Sequence, residues 1–357
     1  MCNLEDPSSL RILPTRLIST GLADAASVKL CYSKDLASNT QYLTLSHSWG
    51  KLKFLTLLKQ NLADFIIQIP VLKLRKTFQD AISFARASGI GYIWIDSLCI
   101  IQDSEEDWRR ESGLMAAAYS NACCNLAADR ATDERSGLFF TRDPWLIRPQ
   151  ILTVPLDGTD EDTEQSKIVG KLEIVDESFW ERSVEESPLT QRAWVLQERL
   201  LAKRVIHFTE RQILFECRES QTCESYPAEM SKYNYQIEGT GEVLGYVEYP
   251  KPNFFKPQIM EIEQGKMVAV VPQRDRLEAW FRIVEQYSEC QLSYEKDRLI
   301  ALSGIAREMR RSFNCPYFAG LWARYLRFQL LWTGNGDNNR PEIYVAPSWS
   351  CMLIRLK

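Results

Sequence analysis

Apolar residues along the first half of the chain switch repeatedly between a two-residue and a 3.6-residue period, which predicts alternating strands and helices. "YLTLSH", residues 42–47, reads as a short apolar strand ending in "SWG". "KTFQDAISFARASG" places Phe78, Ala81, Ile82 and Ala85 on one face of a helix near 76–88, with Gly89 as its stop. "GYIWID" (91–96) reads as a buried strand, and "ACCNLAA" (122–128), apolar at nearly every position, as a strand covered on both faces. Between them a helix near 105–120 puts Trp108, Glu111, Met115 and Ala118 on one face. This order predicts an α/β fold, a parallel sheet flanked by helices.

Further along, the pattern changes. "ILTVPL" and "KLEIVD" are β-like segments around an acidic loop, "DGTDEDTEQSK", and read as an insertion. "SPLTQRAWVLQERLL" predicts a helix capped by Ser187 with Pro188 at its first position, leading into the strands "KRVIHF" and "QILFEC". Residues 226–272 carry no pattern that assigns an element. Helical periodicity returns in "RDRLEAWFRIVEQYS", "EKDRLIALSGIAREMRR" and "GLWARYLRFQLLW". The expected organisation is an α/β core over residues 1–225, with a weakly patterned segment and a helical C-terminal part over 226–357 packed on it.

Composition narrows the function. The net charge of −4 and the lack of a basic tract interleaved with aromatics argue against nucleic acid as a partner. The opening "MCNLEDPSSLRILPTRL" has no apolar signal segment, and no run is long enough to span a membrane, so a cytoplasmic protein is expected. Ten cysteines form no C-x-x-C pair and are accompanied by only two histidines, which argues against a zinc site. Several sit in apolar runs, where a reduced thiol serves as a small hydrophobe.

Ligands of open parallel sheets gather at the carboxyl ends of the strands. Those ends carry Ser46, His47, Ser48 and Trp49 after one strand, and Asp96, Ser97 and Cys99 after another, with Gln102 in the loop beyond. Glu111 lies on the inner face of the next helix. It has two readings: a partly desolvated site carboxylate, or a structural one paired with Arg192 or Arg199 or bonded to a backbone amide. Trp49, Trp94 and Trp108 read as core residues ahead of ligand platforms, and His207 inside "RVIHF" reads as structural. A different chemistry would use Cys99 as nucleophile, His47 as base and Asp96 as orienter.

"YLTLSHSWG", "DAISFARASGIGYIWIDSLCIIQDSEEDWRRESGLMAAAYSNACCNLAA", "QRAWVLQERLLAKRVIHF" and "DRLIALSGIA…AGLW…LLW…APSWS" together resemble the fungal heterokaryon-incompatibility (HET) domain. His47 stands where an aromatic is common, and Ala193 where glycine is common. The resemblance implies a role in self/non-self recognition and a cell-death response.

A fainter resemblance links "YLTLSHSWG" to the opening "F-x-S-F/Y" strand of Toll/interleukin-receptor (TIR) domains, and "DWRRES" to their "W-C-x-x-E-L" helix start. It implies a TIR-like sheet and cleavage of NAD between nicotinamide and ribose, with Glu111 as the catalytic carboxylate. Trp49 or Trp108 would stack on nicotinamide or adenine. Ser46, His47, Ser48, Asp96 and Gln102 would line the pocket, and Arg192 would meet pyrophosphate. NAD or a related nucleotide is then substrate, and no cofactor or metal is called for. Two alternatives stay open: a non-catalytic scaffold that self-associates or binds another signalling protein, and an enzyme recruited to small-molecule metabolism.

Overall fold

Four short apolar strands form the centre of the molecule. In chain order the elements of the first part are β1 (Arg16–Ser19), β2 (Ser27–Tyr32), β3 (Leu43–Ser46), α1 (Leu62–Ile67), β4 (Ile69–Pro70), α2 (Lys76–Ala87), β5 (Tyr92–Trp94), α3 (Asp96–Cys99), α4 (Glu105–Ser120) and β6 (Cys124–Ala127). A hairpin, β7 (Gln150–Leu156) and β8 (Ile168–Ile174), follows. After it come α5 (Ala193–Leu201), β9 (Arg204–Phe208), β10 (Ile213–Cys217) and β11 (Gln221–Cys223). The computed structural model describes residues 12–21, 25–50, 53–130, 136–148, 150–156, 168–174, 176, 178–218, 220–227, 233–236, 243–247, 259–263, 266–270, 273–333 and 343–353.

Nine strands join in one sheet, in the order β11-β10-β9-β6-β3-β5-β1-β2-β4. Its middle four, β5-β3-β6-β9, are parallel. The chain visits them as second, first, third, fourth, the order of a doubly wound sheet whose direction of winding reverses beside its first strand. The flanks are antiparallel: β1, β2 and β4 on one side, β10 and β11 on the other. The sheet is therefore mixed, and β1 and β2 have no counterpart among the expected elements. The edge strand β4 is two residues long and contains Pro70, which limits further pairing at that side.

Register fixes which side chains share a face. Ser46 pairs with Ala127, and Ala127 with His207. Thr44 pairs with Asn125, and Asn125 with Val205. Alternate residues lie on one face, so Thr44, Ser46, Asn125, Ala127, Val205 and His207 look the same way. The Asn125 amide accordingly joins the hydroxyls of Thr44 (2.9 Å) and Ser46 (2.9 Å). Helix α5 covers this face, its Val195 and the following Ala202 clustering with Ala127, Leu189 and Val205.

Helix α5 begins at Ala193, six residues after the expected cap. The Ser187 hydroxyl donates to Asp129 at 2.7 Å and accepts from the Thr190 amide at 3.2 Å, so it closes a turn instead of starting the helix. Arg192 then forms a parallel bridge with Gln291, which holds it in extended conformation. By contrast, α4 starts where its Ser104 cap and three acidic first-turn residues place it.

The unassigned stretch contains two hairpins, Tyr233–Gln236 with Val243–Val247 and Ile259–Glu263 with Lys266–Val270. Helices α6 (Gln273–Glu289) and α7 (Arg298–Phe313) follow. Their Trp280, Ile283, Tyr287, Ala301, Leu302 and Ile305 belong to the same apolar cluster as the central strands. Gly304 is the point of closest approach: its amide donates to Gln197 of α5 at 2.9 Å, and a Cβ there would meet that side-chain oxygen at 2.2 Å. Among the described residues no helix is long and apolar enough to cross a membrane.

Candidate functional site

The carboxyl ends of β3 and β5 are tied together through Asp96. Its Oδ1 accepts from His47 Nε2 at 2.8 Å and from its neighbour's amide, Ser97 N, at 2.6 Å. Its Oδ2 accepts from Trp49 Nε1 at 2.9 Å. The carboxylate is 23% exposed. Burial pushes its pKa up, but His47, the Trp49 N–H and the Arg192 charge outweigh that and hold it below the ordinary aspartate value.

Aromatic rings close one side of this group. His47 stacks on Trp49 (6.2 Å between centroids) and meets the edge of Phe78 (4.8 Å), while Phe54 packs against Trp49 at 5.6 Å. The Arg75 guanidinium lies 4.4 Å from the Phe54 centroid and donates to the Ser48 carbonyl at 2.8 Å. Arg192 comes from the turn before α5 and donates to the His47 carbonyl. The Gln102 amide bonds the carbonyls of Asp96 (3.2 Å) and Ile100 (2.9 Å), fixing the loop beneath.

Behind Asp96 lies a carboxylate that the sequence reading did not single out. Glu198 of α5 is buried, with Ser46, Tyr119, Asp96 and Arg192 setting the electrostatics around it. Burial pushes its carboxyl pKa up and the Asp96 charge adds to this; Ser46, Arg192 and Tyr119 offset only part, so it stays raised. The Tyr119 phenol is also raised well above its usual value, by burial first and then by Glu198 and Asp96. Ser46, Asp96, Tyr119, Arg192 and Glu198 thus meet beside β3, where the winding of the sheet reverses.

Glu111, expected at the catalytic position, sits in another network. Its Oε1 lies 3.1 Å from Arg110 Nε and 3.8 Å from Arg16 of β1, and its partners are neither Arg192 nor Arg199. Arg16 also pairs with Asp107 and donates to the Cys99 carbonyl at 2.7 Å. The expectation was formed without β1, whose arginine occupies the space opposite Glu111. The Lys296 ammonium lies 6.0 Å from the centre of the Trp108 ring. Cys99 is fully buried and desolvation pushes its thiol up to about 12, which disfavours the thiolate that a nucleophile beside His47 needs.

The other histidine anchors a separate buried network. His207 Nδ1 lies 2.8 Å from Asp129, and Nε2 lies 3.0 Å from Glu216. Arg199 grips Glu216 at 2.6 Å and Glu185 at 2.8 Å. Burial alone would lower the His207 pKa, but Asp129 and Glu216 raise it to about 9. Every charge here faces an opposite one, which is the pattern of a structural network.

A family model described as Heterokaryon incompatibility protein (HET) matches residues 42–198. Comparisons with curated proteins and with solved structures returned no match. The matched segment opens at β3 and closes on Glu198, so both ends of the Ser46–Glu198 contact lie inside it. On this evidence the chain carries a HET domain over residues 42–198.

Proposed function

We propose that this HET-domain protein acts in self/non-self incompatibility and cell-death signalling by cleaving NAD at the nicotinamide–ribose bond, with Glu198 as the catalytic carboxylate. One observation carries the reading: a buried carboxyl with a raised pKa stands beside Asp96, Ser46 and Tyr119 at the reversal point of the sheet. Departure of nicotinamide breaks the C1′–N bond, and the electron pair neutralises the pyridinium nitrogen. The sugar is left as an oxocarbenium-like cation that water captures, losing a proton. A carboxylate that desolvation has made costly to ionise gains most when such a cation develops next to it. Ser46 and Tyr119 orient Glu198, while the half-buried Trp49 ring offers a face for nicotinamide, held by its bond to Asp96.

The test is nicotinamide release from NAD by the purified chain at low and high protein concentration. Glu198→Gln is expected to lower the rate about a hundredfold or more while leaving the fold intact. Glu111→Gln is expected to keep the rate. No release by the unaltered chain, or full activity in Glu198→Gln, overturns the reading.

A second reading, association without catalysis, is favoured by Ile67 (73% exposed) and Leu72 (87% exposed), which flank the edge strand β4. Light scattering on Leu72→Ser against the unaltered chain tests it; an unchanged mass removes this surface from the argument.

A further inference from the structure

We propose that the C-terminal part docks on a bilayer surface that carries anionic phospholipid. Between residues 298 and 333 the sequence has six arginines and one acidic residue, Glu308, within a chain of net charge −4. Arg307, Arg310 and Arg311, spaced to share one helical face, line an open cleft of about 510 Å³ with Asn314, Cys315 and Pro316. Arg311 pairs with Glu308 at 3.2 Å and Arg307 donates to the Gly113 carbonyl at 3.3 Å. Arg310 has no ion-pair partner among the described residues. The helix dipole accounts for cations in the last turn of α7, Arg310 and Arg311. It does not account for Arg307, or for Arg324 and Arg327 beyond the helix.

Those two arginines belong to the same end of the molecule. The Ala323 amide bonds the Pro316 carbonyl at 2.9 Å, and Tyr325 packs on Phe313 at 5.7 Å, which fastens their segment beside the cleft. The segment also exposes apolar side chains: Phe328 (52%), Leu330 (48%) and Leu331 (76%) stand in solvent, with Phe318 nearby in sequence. The Arg327 guanidinium lies 4.8 Å from the Phe328 ring. A free phosphate would use the cleft and leave this apolar surface unexplained. Basic residues interleaved with exposed apolar ones match the chemistry of a headgroup layer over acyl chains.

The experiment is co-sedimentation of the full chain with vesicles of phosphatidylcholine alone and of phosphatidylcholine with phosphatidylserine. Binding is expected only to the second, weakening as salt rises. Arg310→Gln with Arg311→Gln is expected to lower the partition about twenty-fivefold, from about fivefold per charge. Leu331→Ser is expected to weaken binding while leaving its salt dependence unchanged. Circular dichroism establishes that each variant is folded. Equal binding to both vesicles, binding to neither, an unchanged partition in the arginine variant, or full release by inorganic phosphate at constant ionic strength overturns the proposal.

Discussion

Glu198 and Glu216 are buried to almost the same degree, 6% and 7% exposed, on opposite sides of helix α5. Their chemistry diverges. Burial would raise both, yet Glu216 is held well below the glutamate value by Arg199 and His207, while Glu198 stays raised. Glu198 and Arg199 are neighbours in sequence, about 100° apart around the helix, so one faces Ser46 and Tyr119 and the other faces the His207 network. Burial alone therefore does not mark a site. What separates the two carboxyls is the countercharge: Glu216 has two cations in direct contact, and Glu198 has hydroxyls.

The comparison breaks most visibly at Glu216. Glu216→Gln leaves Arg199 and His207 buried with part of their countercharge gone and is expected to cost roughly 3–5 kcal/mol of stability. Denaturant unfolding of the two glutamine variants measures it: a large loss in Glu216→Gln and little in Glu198→Gln. Equal losses would mean that the two carboxyls are structural equivalents.

A change of pH probes the same network without mutation. The folded-state pKa of His207, about 9, exceeds the ordinary imidazole value of 6.5. The stabilisation is therefore complete below about pH 6.5 and fades as pH rises through about 9, worth about 3 kcal/mol at most. Unfolding midpoints should fall across that window, and His207→Gln should flatten the slope. An unchanged slope in that variant would place the titration elsewhere.

A smaller loss than at Glu216 is expected at Glu111. Glu111→Gln leaves Arg16 its partner Asp107 and keeps a hydrogen-bonding side chain beside Arg110. A loss of about 1–3 kcal/mol is expected, read as a lower melting temperature. A loss as large as that of Glu216→Gln would make the Arg16 network the stronger anchor.

The sheet centre was legible because β3, β5 and β6 are short apolar runs ended by polar clusters, and α2 and α4 carry clear helical periods. The group at Asp96 was legible for the same reason, since His47, Trp49 and Asp96 all directly follow strands. Glu198 was not. "DWRRESGLM" and "AWVLQERLL" show the same local feature, a glutamate on an apolar helical face, and nothing nearby in sequence states which one meets a cation. That is decided by Arg16, delivered by β1, a strand without a periodic signature, and by the order in which α5 crosses the sheet. Ser187 failed as a helix cap for a similar reason: a distant carboxylate, Asp129, takes its hydroxyl.

Gly304 brings α7 against Gln197, one residue from Glu198, with no room for a side chain between them. The stretch that defines the family ends at residue 198, within α5 and before β9. The inherited module and the physical module are consequently different objects. A fragment cut at the family boundary would lose the last three residues of the helix that presents Glu198, the strand beneath it and the helix pressed on its back. Any transplant of the group around Glu198 into another protein has to carry the chain through α7, and a methyl group at position 304 would loosen the graft without touching Ser46, Asp96 or Glu198.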